Sequence, residues 1–195
     1  MPLKQEKPIL VPEASTNSDS DRVIMDEAKT YQRIGEFVVC FQSIENKIRE
    51  IGWFILDPGR KDWPPKLLRK DSSAALFEKV EKLFLAALPR CGLGAELEAD
   101  FRVSFVGSGS RFHNLRRARN RILHSAFIEL KSGGEVRGLL RSNPQISVDA
   151  ETGEVLFDQD FLSESSFAKE FLEMAELTMF FNRCHIQLIH RLPTA

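Results

Sequence analysis

Apolar residues recur at intervals of three and four over long stretches of this chain, and at intervals of two over one shorter region. The first helical stretch holds Val23, Ala28, Tyr31, Ile34, Phe37, Phe41, Ile44, Ile48, Ile51 and Ile55. Such spacing lays one apolar face along a helix, expected to run from a Ser/Asp cap near Asp19 to about Leu56. "DPGRKDWPPK" follows, and its prolines and glycine predict a loop, because proline removes a backbone donor and fixes φ. A second helix should start at Ser72 or Ser73 and end around Pro89. A third helical region opens near Gly94. "GSGS" at 107–110 either breaks or merely weakens it, since two glycines cost a helix roughly 2 kcal/mol relative to alanine, and a fresh helix is expected from Ser110.

Beyond His124 the period drops to two. "AFIELK", the turn "SGG" and "EVRGLL" predict one hairpin, and "QISVD", "AETG" and "EVLFD" predict a second. Ser163 to Arg191 returns to helical spacing through Phe167, Phe171, Met174, Leu177, Phe181, Ile186 and Ile189. The fold class that follows is mainly α: a bundle of four to five helices, with a small antiparallel β-hairpin insertion at 126–159 before the last helix. Residues 19–195 form the domain. Residues 1–18, rich in Pro, Lys, Glu and Ser and without apolar periodicity, are expected to form a flexible N-terminal tail.

Composition narrows the function. The 195 residues are 43% hydrophobic and 28% charged, enough for one sizeable core. A net charge of −1 argues against coating a polyanion through bulk charge, so an anionic partner must meet a local patch. The N-terminus lacks the apolar run of a signal peptide, and no stretch reaches the roughly 18 apolar residues of a membrane span. The expectation is a cytoplasmic protein with no membrane partner. Cys40, Cys91 and Cys184 are widely spaced and read as packing thiols. His185 and His190 lie near Cys184 without further ligands to finish a metal site, so no metal and no cofactor is expected. P-loop, dinucleotide-binding and GxSxG signatures are missing.

The local patch is "RFHNLRRARNRILH" at 111–124, with five arginines, two histidines and no acid. At about 100° per residue, Phe112, Leu115, Ala118 and Ile122 form the core stripe of a helix. Arg117, Asn120 and His124 then share a polar face flanked by Arg116 and Arg121, a surface suited to phosphate. His113 is expected at the surface. Arg119 falls on the edge of the apolar stripe, where a charge needs a partner. Glu45 likewise sits at the margin of the stripe made by Phe41, Ile44 and Ile48, so the two are expected to meet between helices.

"RNRILH", with Arg119, Asn120 and His124, resembles the signature of the HEPN family: an Arg, often followed by Asn, then four to six residues to a His late in a bundle helix. "SIENKIREIGWFI" is similar to the family's acidic position and places it on Glu45. The resemblance spans the helical part of the chain, about two thirds of it. It implies a helical, frequently homodimeric, metal-independent endoribonuclease of the kind found among toxins and antiphage defence effectors. RNA would be its substrate and a cognate antitoxin a partner. In that reading Arg119, Asn120 and His124 carry the chemistry, Glu45 supports them, and Arg116, Arg117 and Arg121 bind backbone phosphates. The alternative is a non-catalytic HEPN-like module that binds RNA, a nucleotide or a protein. In the toxin branch silenced by a nucleotidyltransferase, a Tyr follows the His by two residues. Ala126 stands there in this chain, which sets it apart from that branch.

RNA cleavage of this type needs no metal. The 2′-OH is the nucleophile, and a group that takes its proton and one that protonates the leaving 5′-oxygen suffice. Histidine titrates in the right range for both. One such His per chain leaves a second to be found, and a symmetric dimer with two His124 faces across one cleft would supply it.

Overall fold

A computed structural model of the chain describes residues 27–61, 68, 70–148 and 155–193. Four helices make up its frame among these residues. They are α1 (Glu27–Leu56), α2 (Ser73–Ala87), α3 (Ala95–Leu123) and α4 (Ala168–Arg191), with a 3-10 turn, Leu88–Cys91, closing α2. The fold is mainly α, with a small antiparallel sheet inserted before the last helix. The expected tail 1–18 and the first residues of the expected first helix lie outside the described residues. No described helix is long and apolar enough to cross a membrane.

Aromatic packing joins the helices. Phe37, Phe41, Ile44, Ile48 and Ile51 of α1 are fully buried, as their spacing requires, whereas Tyr31 at the start of that stripe is exposed. Phe41 stacks on Phe112 of α3 at 5.5 Å, and Phe77 of α2 stacks on Phe112 at 5.1 Å. Phe105 stacks on Phe84 of α2 at 4.4 Å and meets Phe181 of α4 edge-on. Offset and edge-on pairs of this kind add to the area each ring buries. Ser72 caps α2 by accepting from the Ala75 N–H.

The break expected at 107–110 does not occur, and α3 is continuous through "GSGS". Packing explains the difference. A Cβ on Gly109 would lie 3.1 Å from Phe77 Cε1, so the missing side chain lets α2 and α3 approach closely. Phe101, Phe105 and Phe112, all buried on either side of the segment, stabilise one rigid helix by more than the weak propensity costs.

The two expected hairpins also merge. Strands β1 (Ala126–Ser132), β2 (Glu135–Val148) and β3 (Val155–Leu162) form one antiparallel sheet in the order β1-β2-β3. "EVRGLL" and "QISV" are parts of the single strand β2, whose register shifts between Asn143 and Ile146 around Pro144. A proline is tolerated at such an irregularity because no ladder hydrogen bond is demanded of it. Gly133 and Gly134 turn β1 into β2 with φ of 63° and 83°, the positive pair that a two-residue hairpin turn needs. The turn expected at "AETG" lies outside the described residues.

Candidate functional site

Helix α3 carries the basic cluster on its last four turns. Phe112, Leu115 and Ile122 face the core, and this fixes where the other side chains go. The structure sorts the five arginines by the acids they meet. Arg111 reaches across to α4, where it donates to Glu173 and Glu176. Those bonds, the Glu173 one first, raise the guanidinium pKa further. Arg121 points to the sheet, with Nε 3.2 Å from Asp158 Oδ2 and Nη2 3.2 Å from Asp160 Oδ2. Of the residues expected to bind phosphate, Arg121 is thus the one already held by two carboxylates.

Arg141 of β2 completes that network and was not singled out by the sequence. It is 2% exposed. Its Nη2 donates to Asp158 Oδ1 at 2.6 Å, its Nε to Asp160 Oδ2 at 3.2 Å, and its Nη1 to Ser125 Oγ at 3.0 Å. Asp160 stands directly across from Arg141 in the sheet register. Hydrogen bonds from Arg141 and then Arg121 hold the Asp158 carboxyl well below the usual carboxylate range. Ser125 also donates to the Arg121 carbonyl, so the network ties the sheet to the end of α3. One signal was available: Asp158 and Asp160 alternate with Phe157 and Phe161, placing both acids on the strand face of buried Leu162. Arg121, Arg141 and Asp160 also line a cleft of about 290 Å³ with Phe161 and Phe167. Arg121 and Arg141 are neutralised there by Asp158 and Asp160.

The middle of the cluster differs. Arg119 meets Glu45 at 3.9 Å, Nη2 to Oε2, and its guanidinium lies over the Phe41 ring at 5.6 Å. Glu45 is 5% exposed. The two residues that interrupt apolar faces therefore do meet between α1 and α3, at ion-pair range rather than in a short hydrogen bond. Arg119 Nη1 donates to Asn120 Oδ1 at 2.9 Å, which draws the guanidinium toward the polar face. Arg117 is exposed and, among the described residues, donates only to Asn114. Arg116 makes no ion pair among the described residues. The Nε atoms of Arg116 and Arg119 are both buried without a hydrogen-bond acceptor there. They sit one helical turn apart.

His124 is the C-cap of α3, exposed, with its backbone N–H donating to Asn120 and Ile122 carbonyls. A cation there complements the helix dipole. Five residues of helix separate it from Arg119 by about 140°, so within one chain the two side chains leave the axis in different directions. Asn120 lies one turn before His124 and in contact with Arg119, the link between them. His113, expected at the surface, is instead half-buried and edge-on to Phe77 and Phe112 at 5.5 and 5.6 Å. The close approach of α2 at Gly109 puts it there.

No His/Cys/Asp/Glu group able to hold a metal occurs among the described residues. Cys40, Cys91 and Cys184 are free thiols, and burial raises the Cys91 and Cys184 pKa values. His185 lies edge-on to Phe54 and 3.8 Å from Glu50, and burial lowers its pKa. No protein-family model, curated protein or solved structure matches the chain.

Proposed function

We propose that this chain is a metal-independent endoribonuclease that cuts RNA by 2′-OH attack, leaving a 2′,3′-cyclic phosphate and a 5′-hydroxyl. The observation that supports it most is the middle of the basic cluster, where Arg116 and Arg117 meet no carboxylate among the described residues and Arg119 meets Glu45 at 3.9 Å. A phosphate carries the acceptor oxygens that these exposed or half-buried guanidinium groups can grip in pairs. Arginine adds a fixed charge where negative charge grows in the transition state. Arg117 extends this surface along the RNA backbone, and Asn120 sets the Arg119 fork. His124 moves the proton, and a second copy of the chain brings a second His124 for the other transfer. An effector of this kind would act against cellular or phage RNA and would call for an antitoxin.

The test is cleavage of tRNA, mRNA and rRNA by the purified chain in EDTA. Cyclic-phosphate ends are expected, and His124→Ala should slow cutting by about 100-fold or more while RNA stays bound. Intact RNA, or equal cutting by the variant, rejects the reading. One observation favours a second reading, a non-catalytic module that binds RNA or a nucleotide: the roughly 140° between Arg119 and His124 on one helix. It predicts salt-sensitive binding that Arg117→Ala weakens and His124→Ala leaves intact.

A further inference from the structure

Helix α4 has two apolar seams. Met174, Leu177, Phe181, Cys184 and Leu188 are buried, at spacings of three and four, and face the bundle. On the other side stand Leu172, Met179, Ile186 and Ile189, with exposures of 64, 62, 51 and 46%. With Ala175 and Asn182 between them they recur at intervals of 3, 4, 3, 4 and 3, an unbroken heptad seam. A face selected only for contact with water has no reason to hold large apolar residues in that register over about 27 Å of helix.

We infer that this outer seam is a self-association surface, on which α4 of a second copy of the chain packs antiparallel. The charges decide both occupant and direction. Glu176 and Arg183 are seven residues apart on the same edge of the seam, each directly after a core position. In an antiparallel pair centred between Met179 and Asn182, Leu172 packs on Ile189 of the second copy, Ala175 on Ile186, and Met179 on Asn182. That register places Glu176 of each copy beside Arg183 of the other, twice by symmetry. A parallel pair would bring Glu176 to Phe171 and Arg183 to Thr178, with no opposite charges matched. Glu176 already contacts Arg111 through Oε2 and Arg183 covers the Phe101 ring at 5.6 Å, yet both remain exposed. Asn182 beside the two-fold axis supplies the single polar core position that fixes register. The small size of one helix seam, against about 800 Å² per partner in standard interfaces, makes this a reversible dimer.

The inference does not rest on the ribonuclease reading. Asn114, Leu115 and Ala118 of α3 line one cleft with Lys169, Glu170 and Glu173, so the basic cluster runs beside the N-terminal half of α4. Antiparallel pairing therefore sends the two His124 residues to opposite ends of the seam. A cleft shared by two His124 faces would use a different isologous surface, and dimers of dimers are built from two such surfaces.

Sedimentation of the full chain from 1 to 200 μM tests the seam. A concentration-dependent dimer is expected, and Met179→Glu with Ile186→Glu should leave a monomer with unchanged helix content and thermal stability. Glu176→Arg alone should weaken the dimer at least fivefold, and adding Arg183→Glu should restore it. The two positions are two turns apart within one chain, so rescue there reports contact between copies. A full chain that stays monomeric at 200 μM overturns the inference, whether residues 1–26 or another protein covers the seam. So does a dimer indifferent to the glutamates, and so does a charge reversal without rescue. None of these outcomes depends on RNA cleavage.

Discussion

The two ends of the basic cluster and its middle have the same composition and opposite circumstances. Arg111 and Arg121 are neutralised by Glu173, Glu176, Asp158 and Asp160, acids 37 to 65 residues away along the chain. Arg116 and Arg117 face no carboxylate among the described residues, and Arg119 has one at 3.9 Å. An arginine run on a helix is therefore two things in this molecule. Its ends are fasteners that hold α4 and the sheet against α3, and its middle is positive charge that no acid of the described residues neutralises at short range. What separates the two is tertiary position: α4 crosses at one end, β3 at the other, and among the described residues neither brings an acid into ion-pair range of Arg116, Arg117 or Arg119.

The largest effect expected of this division is on stability, at Arg141. Removing one partner of a buried ion pair typically costs 3–5 kcal/mol, because the other charge stays behind. Asp158 and Asp160 are 30% and 53% exposed, so water recovers part of that. Arg141→Met should cost about 3 kcal/mol, a fall in Tm of roughly 6–12 °C for a domain of this size. Arg116→Gln should stay within about 0.5 kcal/mol. Equal losses in thermal unfolding would erase the distinction between fastener and free charge. The network also has a pH signature. The folded-state pKa of Asp158 lies below its ordinary 3.8, so its contribution is present above that pH and is lost as pH falls through the folded value. In Arg141→Met this acid-side loss should shrink.

How much of this was legible follows from where each signal resides. The stripe Phe37, Phe41, Ile44, Ile48, Ile51 was visible because a helix face is a local period, and all five are buried. Glu45 and Arg119 could be matched because each breaks such a period, and a charge on an apolar edge must find a counter-charge. Continuity of α3 through Gly109 was not visible, since the reason is a Phe77 ring from another helix. Nor was β2 as one strand, because Pro144 disguises the junction of its two halves. Arg141 escaped notice for a different reason. In "LLRSN" it reads as an ordinary outward polar position, and only the pairing of β2 with β3 shows that it points into the domain opposite two acids.

Arg116→Gln with Arg117→Gln removes two charges that have no acid partner, so stability should hold. Affinity for single-stranded RNA should fall about tenfold, and the slope of log affinity against log salt should flatten by roughly 1.4, at 0.7 per phosphate contact. Arg111→Gln with Arg121→Gln removes the same formal charge from the same helix. It should leave affinity within about twofold and lower Tm instead. Salt titrations of both double variants decide the matter: equal losses of affinity would mean that the cluster acts through its total charge, and that its internal pairing is irrelevant to what it binds.

The smallest effect separates the two fasteners from each other. Arg111 and its partners Glu173 and Glu176 are 37, 29 and 50% exposed, whereas the Arg141 side chain is 3% exposed. Exposed pairs typically contribute 0.2–1 kcal/mol, because water competes for both charges and ordering long side chains costs entropy. Arg111→Gln should therefore lower stability by about 0.5 kcal/mol in low salt. In 1 M salt, where the screening length is about 3 Å, most of that difference should vanish. The loss from Arg141→Met should persist there, because screening ions do not enter a buried network and the stranded carboxylates still need desolvation. Denaturant unfolding of both variants at the two salt concentrations measures it. If the Arg111 difference survived 1 M salt undiminished, α4 would be held to α3 at that point by packing of the arginine stem rather than by its charge.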